Sequence, residues 1–229
     1  MLGNIEREMD IQIRPMIESD LPVVNHIRNQ SRSFLHNESE YTLDQTISWF
    51  FDTNPEWYII EANERVVGYF RTSEHSHENR SMCIGADIEE ESRGKGIAKQ
   101  AYRKMMRFLF EKHKLQVIRL EVLETNTRAI SLYKKLGFTE NCTTKVWRKS
   151  EKRWIDSIHM SMHRVDFISY QLNGRDGIPL SPCNGICSKG ESMCLSCGRT
   201  LEEISQWKNM EIGSKIACID RISKNKGIW

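Results

Sequence analysis

A mixed α+β fold on a central mixed sheet is what this sequence predicts, and three observations carry the expectation. Short segments alternate apolar and polar residues at period two. Other segments repeat apolar residues three and four apart. The two kinds interleave, hairpin-like strands first and then strand–helix–strand–helix–strand. The 229 residues are long for one small domain and short for two, so one domain plus an appendage is expected. A composition of 39% hydrophobic and 28% charged residues excludes a disordered chain. Lys and Arg number 33 against 31 Asp and Glu, which excludes a histone-like nucleic-acid binder or an acidic tail.

Ile11, Ile13 and Pro15 open with strand-like alternation. Ser19 and Asp20 supply helix N-cap chemistry, Pro22 suits a first turn, and Val23, Val24 and Ile27 form the apolar side of a short helix. Thr42 with Gln45 is a capping-box pattern for a second helix that would bury Ile47, Trp49 and Phe50. Residues 57–61 and 66–72 read as a hairpin turning at Asn63-Glu64, and 82–88 as a further strand. Ala98, Ala101, Tyr102, Met105 and Leu109 make one helical face. Ile118, Leu120 and Val122 alternate with Arg119 and Glu121 as a strand. Ala129, Ile130, Tyr133 and Leu136 form the next helical stripe, stopped by Gly137. On a late strand Trp154, Asp156, Ile158, Met160 and Met162 share one face, and Ser157, His159, Ser161 and His163 the other.

The stretch QLNGRDGIPLSP, residues 171–182, reads as a linker. The expected organisation is a domain over 1–168, a linker over 169–180 and a small domain over 181–229. No apolar run approaches the ~18 residues of a membrane span, and the first residues lack an apolar leader core. Four of the seven cysteines cluster near the end, which without an export signal favours metal over disulfides and a reducing, cytoplasmic setting.

The strand ending in Asp87-Ile88 runs through an acidic stretch into Arg93-Gly94-Lys95-Gly96-Ile97-Ala98 and then a helix. A glycine turn entering a helix exposes backbone N–H groups where anions are favoured, and Arg93 and Lys95 add positive charge. The physical reading is a phosphate or pyrophosphate site; an ordinary glycine-containing βα turn is the alternative. Neither the P-loop nor the full dinucleotide fingerprint is present. Tyr133, on spacing alone, is a core aromatic on an amphipathic helix.

Together these segments resemble the GCN5-related N-acetyltransferases, over roughly residues 11–165. RGKGIA is similar to the family's R/Q-x-x-G-x-G/A signature, with Ala98 in the last place. LEVLETNTRAISLYKKLGF, residues 120–138, looks like its second half-site. The resemblance implies an acyl-CoA N-acyltransferase fold with acetyl-coenzyme A as co-substrate, its pyrophosphate on Arg93 to Ala98. Asn126 would contact coenzyme A, Tyr133 would be the general acid, and a backbone N–H near Asp87 and Ile88 would face the thioester carbonyl. Ile27 to Trp49 and the late 147–158 segment resemble the RimJ/RimL-like branch, whose acceptors include amino sugars, polyamines and protein N-termini. The amine would attack directly, without a covalent enzyme intermediate. Glu61, Asp87, Glu121 and His159 are base candidates by nearness to strand ends; a water chain or plain solvated charge is the alternative for each. The expected partner is a small-molecule or protein amine, with a homodimer as a compatible assembly and neither membrane nor nucleic acid called for. The competing reading is a binding module that senses acyl-CoA and docks a partner through its tail.

Cys183, Cys187, Cys194 and Cys197 lie within fifteen residues. Four thiolates so close can surround one Zn²⁺ or hold a small Fe–S cluster; reduced, unliganded thiols are the bland alternative. The run SPCNGICSKGESMCLSCGRTLEEISQWKNM resembles a short domain of unknown function described as a predicted Fe–S protein. Thr200 with Glu203 is a capping box for a helix whose stripe is Leu201, Ile204 and Trp207. Cys83, Cys142 and Cys218 read as incidental thiols.

Overall fold

The computed structural model describes residues 10–172 and, in the tail, 190, 192–195, 197–207, 209–211, 214–215, 217–218 and 221–222. Cys183, Cys187 and most of the expected linker lie outside the described residues. By contact density the chain divides into two units, residues 1–161 and 162–229.

Seven strands form one mixed sheet: β1 (Ile11–Pro15), β2 (Tyr58–Ala62), β3 (Arg65–Ser76), β4 (Ser81–Ile88), β5 (Val117–Leu123), β6 (Thr139–Arg148) and β7 (Arg153–His163), in the order β1-β2-β3-β4-β5-β7-β6. β1 to β4 form an antiparallel run. Asn63 and Glu64 turn the β2–β3 hairpin with φ of 49° and 63°, the left-handed pair that a two-residue connection requires.

β4 and β5 are parallel, joined by the crossover helix α3 (Ile97–Lys112). Their register covers only Ser81–Val117, Met82–Ile118 and Cys83–Arg119, after which the strands part. The later residues of β4 therefore have no β5 partner in the register. α3 buries Ala101, Tyr102, Met105, Met106, Leu109 and Phe110, as the periodicity predicts. A fully buried Leu or Met contributes ~1.5–3 kcal/mol, so this face holds the crossover firmly on the sheet.

Helix α1 (Leu21–Ser31) buries Leu21, Val24 and Ile27 in a cluster with Ile59 and Tyr69. Asp20 precedes it as expected but does not cap with its side chain. Its carboxylate instead accepts from Arg14 at 2.7 Å and from the Ile17 N–H at 2.9 Å, fixing the entry of α1 against β1. Helix α2 (Leu43–Thr53) opens with the Thr42–Gln45 capping box and packs half-buried Ile47, Trp49 and Phe50 against that cluster. Helix α4 (Thr127–Leu136) ends at Gly137, whose φ of 93° lets its N–H cap Lys134 O.

Two expectations are corrected. Residues 139–146, given no element in the sequence reading, belong to the long, largely exposed edge strand β6, whose polar sequence carries no apolar alternation because no layer covers it. The proposed apolar face of β7 is not uniformly buried: Met160 and Met162 are covered, Trp154 is 60% exposed, and Ser157 and Ser161 on the other face are buried. The strand is covered on both sides only in its second half.

In the second unit, helix α5 (Arg164–Leu172) runs into the first residues of the expected linker. The tail forms a tight turn in which Gly198 N–H bonds to Cys194 O at 2.7 Å and Cys194 N–H to Arg199 O at 2.8 Å. Gly198 has φ of 78°. Helix α6 (Leu201–Gln206) follows, with both bonds of the Thr200–Glu203 box formed. Ile204 and Trp207 are half-buried, whereas Leu201 is exposed.

Candidate active site

In the β3–β4 ladder Glu89 N–H donates to Val67 O at 2.8 Å. Antiparallel pairs alternate between bonded and non-bonded, so Tyr69–Asp87 and Arg71–Gly85 carry the next ladder bonds. Ala86 and Ile88 therefore turn their N–H and C=O groups the other way, toward the side where β5 has departed. Of the two expected strand-end residues, Ile88 offers its N–H to the gap, while the Asp87 N–H belongs to the ladder.

The glycine turn follows directly. Gly94 and Gly96 have φ of 81° and 79°, and a Cβ on either would meet nothing within 4 Å. Gly96 caps α3 without a side chain, so by helix geometry the first-turn N–H groups of Ile97 and Ala98 have no intrahelical acceptor. A 16-residue helix with a bare, Cβ-free entrance can seat an anionic group. Lys95 is exposed beside it. Arg93 also braces the turn: its guanidinium donates to Ile88 O at 2.9 Å and to Ser31 Oγ at 3.0 Å, clamping it to β4 and α1.

Tyr133 lies on the buried side of α4, its hydroxyl 3.1 Å from that of Tyr102 on α3. Burial holds the Tyr133 hydroxyl above its ordinary pKa, so it stays protonated. Asn126 caps α4, its Oδ1 accepting from Ala129 N–H at 3.2 Å. Side-chain capping thus fixes the helix that carries Tyr133.

Opposite lies a cavity of about 430 Å³ between α1, α2 and the sheet, a size fit for a small molecule. Trp49, Trp57 and Tyr41 form apolar walls, and Arg28, His36 and Arg71 supply the charged or titratable groups. Arg71 Nε is 3.2 Å from Asp87 Oδ2, an ion pair without hydrogen-bond geometry. Gly85 faces Arg71 across the ladder, where a Cβ would come within 2.9 Å of Arg71 Nη2.

The base candidates separate. Glu61 is bound by Arg14 at 2.7 Å, beside α1's entry, and Asp87 is held by Arg71. Glu121 lies between two imidazoles, 3.6 Å from His36 Nε2 and 3.4 Å from His159 Nδ1. His159 Nε2 is 2.8 Å from Thr144 Oγ1, and His36 Nε2 is 2.7 Å from Ser157 Oγ. His36, missed in the sequence, is the member of this group that lines the cavity. Burial lowers its pKa, and the attraction of Glu121 only partly opposes this. No sequence motif marks His36, which meets Ser157 across 121 positions.

Among the described residues no metal-binding group of three or more His, Cys, Asp or Glu side chains forms, but only Cys194 and Cys197 of the four expected ligands are described. Both are buried, and neither is in a disulfide. No described helix is long and apolar enough to cross a membrane.

Residues 21–138 match the acetyltransferase (GNAT) family, and residues 181–226 a family of unknown function, DUF1289. The spermidine N(1)-acetyltransferase of Escherichia coli K12 is 26% identical over 135 residues, 56% of this chain and 73% of that protein. The SPbeta prophage-derived uncharacterized N-acetyltransferase YokL of Bacillus subtilis is 27% identical over 108 residues, 47% of this chain and 61% of its own length, so the chain spans about three fifths of that relative. Among solved structures, spermidine N-acetyltransferase from Vibrio cholerae with CoA and spermine superposes with a TM-score of 0.64 at 20% identity, covering 69% of this chain and 98% of that one. Ribosomal-protein-alanine N-acetyltransferase from Brucella melitensis gives 0.59 at 24% identity, covering 66% and 99%. At these identities the superpositions speak to the fold.

Proposed function

We propose a catalytic reading on one premise: the chain belongs to the acetyltransferase (GNAT) family. The protein transfers the acetyl group of acetyl-coenzyme A to a primary amine. The observation that carries this is the bare glycine entrance of α3, set beside the strand end at Ile88, which pairs with β3 but lies beyond the β4–β5 register. The N–H groups of the turn Arg93–Ala98 would bind the pyrophosphate, with Lys95 adding charge and Arg93 holding the turn in place. Ile88 N–H would donate to the thioester oxygen as negative charge gathers there. Asn126 would serve by fixing α4, and Asp87 by holding Arg71.

An amine with pKa near ~10 must lose a proton before it attacks. His36 is suited to accept it. With Nε2–H turned to Glu121 and Ser157, the neutral ring keeps its lone pair on Nδ1. Tyr133, kept protonated by burial, would give its proton to the departing thiolate. His36 takes the ammonium proton, the second N–H proton, released as the C–N bond forms, replaces the one Tyr133 gives to the thiolate, and the C–S bond is exchanged for the C–N bond.

The acceptor classes of the RimJ/RimL-like branch, amino sugars, polyamines and protein N-termini, belong to the same proposal, as does a homodimer; the likeness to spermidine acetyltransferases supports an amine acceptor. A domain division at 1–168, 169–180 and 181–229 is part of the proposal as well. In the tail, Cys183, Cys187, Cys194 and Cys197 would hold one Zn²⁺ or an Fe–S cluster. The tight turn from Cys194 to Arg199, with both described cysteines buried, fits a thiolate-bound ion. Such a centre would supply folding stability to a segment too small for a core of its own.

The test is thiol release from acetyl-CoA across a panel of amines. Turnover with any primary amine supports the reading. Tight acetyl-CoA binding with no turnover of any amine would instead favour an acyl-CoA sensor.

A further inference from the structure

Resting on the acetyl-transfer reading above, we infer that the cavity accepts an amine whose molecule also carries an oxyanion, such as the carboxylate of an amino acid, held by Arg28, and not a polycation. The cavity's charged side chains are Arg28 and Arg71, its titratable one is His36, and no Asp or Glu is among its lining residues. A polyamine carries several positive charges and needs carboxylates to receive them.

The nearby carboxylates are committed elsewhere. Asp87 is paired with Arg71. Glu121 lies between His36 and His159. Glu38 takes Arg148 and the backbone of Lys149, and Glu40 takes Arg32.

Arg71 is neutralised by Asp87, but Arg28 is not. Its guanidinium donates to the carbonyls of Ser39 and Asn37 and to Asn29 Oδ1, and among the described residues it meets no carboxylate. Carbonyls satisfy hydrogen bonds without cancelling charge. The half-buried cation at the cavity wall therefore remains in surplus. Aromatic walls could in principle attract an ammonium. Here the Tyr41 face is already taken by Arg28, 4.4 Å from its centroid, and Trp49 and Trp57 pack on each other at 4.5 Å. The room left is apolar, of small-molecule size, and positive at one side. A molecule with an amine at one end and an oxyanion at the other fits it.

The test uses matched pairs differing only in the anion: phenylalanine against phenethylamine and lysine against cadaverine, with 2-aminoethylphosphonate and spermidine added. The expected result is a kcat/KM at least about tenfold higher for the acid member of a pair, the scale of a hydrogen bond to a charged group. If the phosphonate alone is preferred, the oxyanion is phosphorus-based; if only the amino acids are, it is a carboxylate. Arg28→Gln should abolish the preference mainly through KM and leave acetyl-CoA affinity unchanged, while Arg28→Lys keeps part of it. Because Arg28 also ties down its loop, the wild-type ratio stands as the primary readout should the Gln variant misfold. Spermidine or the decarboxylated amines outperforming the acids would overturn this inference and leave acetyl transfer intact. Acetyl-CoA binding with no amine turned over would overturn the reading beneath it, and this inference with it.

Discussion

Placing a glutamate at Gly96 separates the two readings of the glycine turn, because its cost differs between the free and the ligand-bound protein. In the free protein a Cβ at this position meets nothing within 4 Å. The folded-state penalty is therefore the φ of 79° alone, ~1–2 kcal/mol for a residue with a Cβ. For a chain of this size that lowers Tm by roughly 2–8 °C. If the turn holds a pyrophosphate, the new carboxylate sits close to a phosphate charge. At ~5 Å and an effective dielectric of ~20 the repulsion is about 3 kcal/mol, more than a hundredfold in affinity before any steric cost. Calorimetric titration of acetyl-CoA into wild type and Gly96→Glu, with thermal unfolding of each, reads both numbers. A folded variant that binds acetyl-CoA as well as wild type would refute the assignment of this turn.

Three further outcomes are expected. Tyr133→Phe should lower kcat of order 10²-fold while acetyl-CoA affinity holds, the scale of a positioned general acid; full turnover on the preferred acceptor would remove Tyr133 from the mechanism. His36 must be unprotonated to act, and burial places its pKa below the ordinary histidine value of ~6.5. Activity should accordingly fall as pH drops through a value under that figure, and the acid limb should disappear in His36→Gln; an unchanged profile in that variant would assign the base elsewhere. Chelation, or Cys197→Ser, should expose the tail to protease while the acetyl-CoA affinity of the larger domain survives. Elemental analysis that finds no metal on protein purified under reducing conditions, with the tail still protected, would leave the cysteines without this role.

Local signals were legible because their causes are local. The Thr42–Gln45 box, the Asn63-Glu64 turn and the Gly137 stop each act within a few residues, and each formed where the sequence placed it. The α3 stripe was equally plain, since one helix face meets one sheet. What the sequence hid was where long side chains go. Arg93 looks like a phosphate ligand but reaches back to Ile88 O and Ser31. Arg71 sits mid-strand with no motif around it, and His36 gains its partners only when β5 and β7 arrive from more than eighty positions away. The edge strand β6 was partly missed for the opposite reason: with nothing packed on it, it had no apolar pattern to read.

The contact between Gly85 and Arg71 also constrains the order in which this site could diverge. A methyl at position 85 would crowd the tip of a flexible side chain, not a backbone atom, so the fold would survive by letting the guanidinium swing aside. The loss would fall on the acceptor cavity that Arg71 lines and on the neutralisation of Asp87. A lineage giving up the bare position first would pass through a folded protein with a disordered site. One replacing Arg71 first would strand a buried carboxylate but leave position 85 free to grow. The two positions are thus tied as a history rather than as an energy: the second route requires Asp87 to change as well, so descendants that took it should differ at all three.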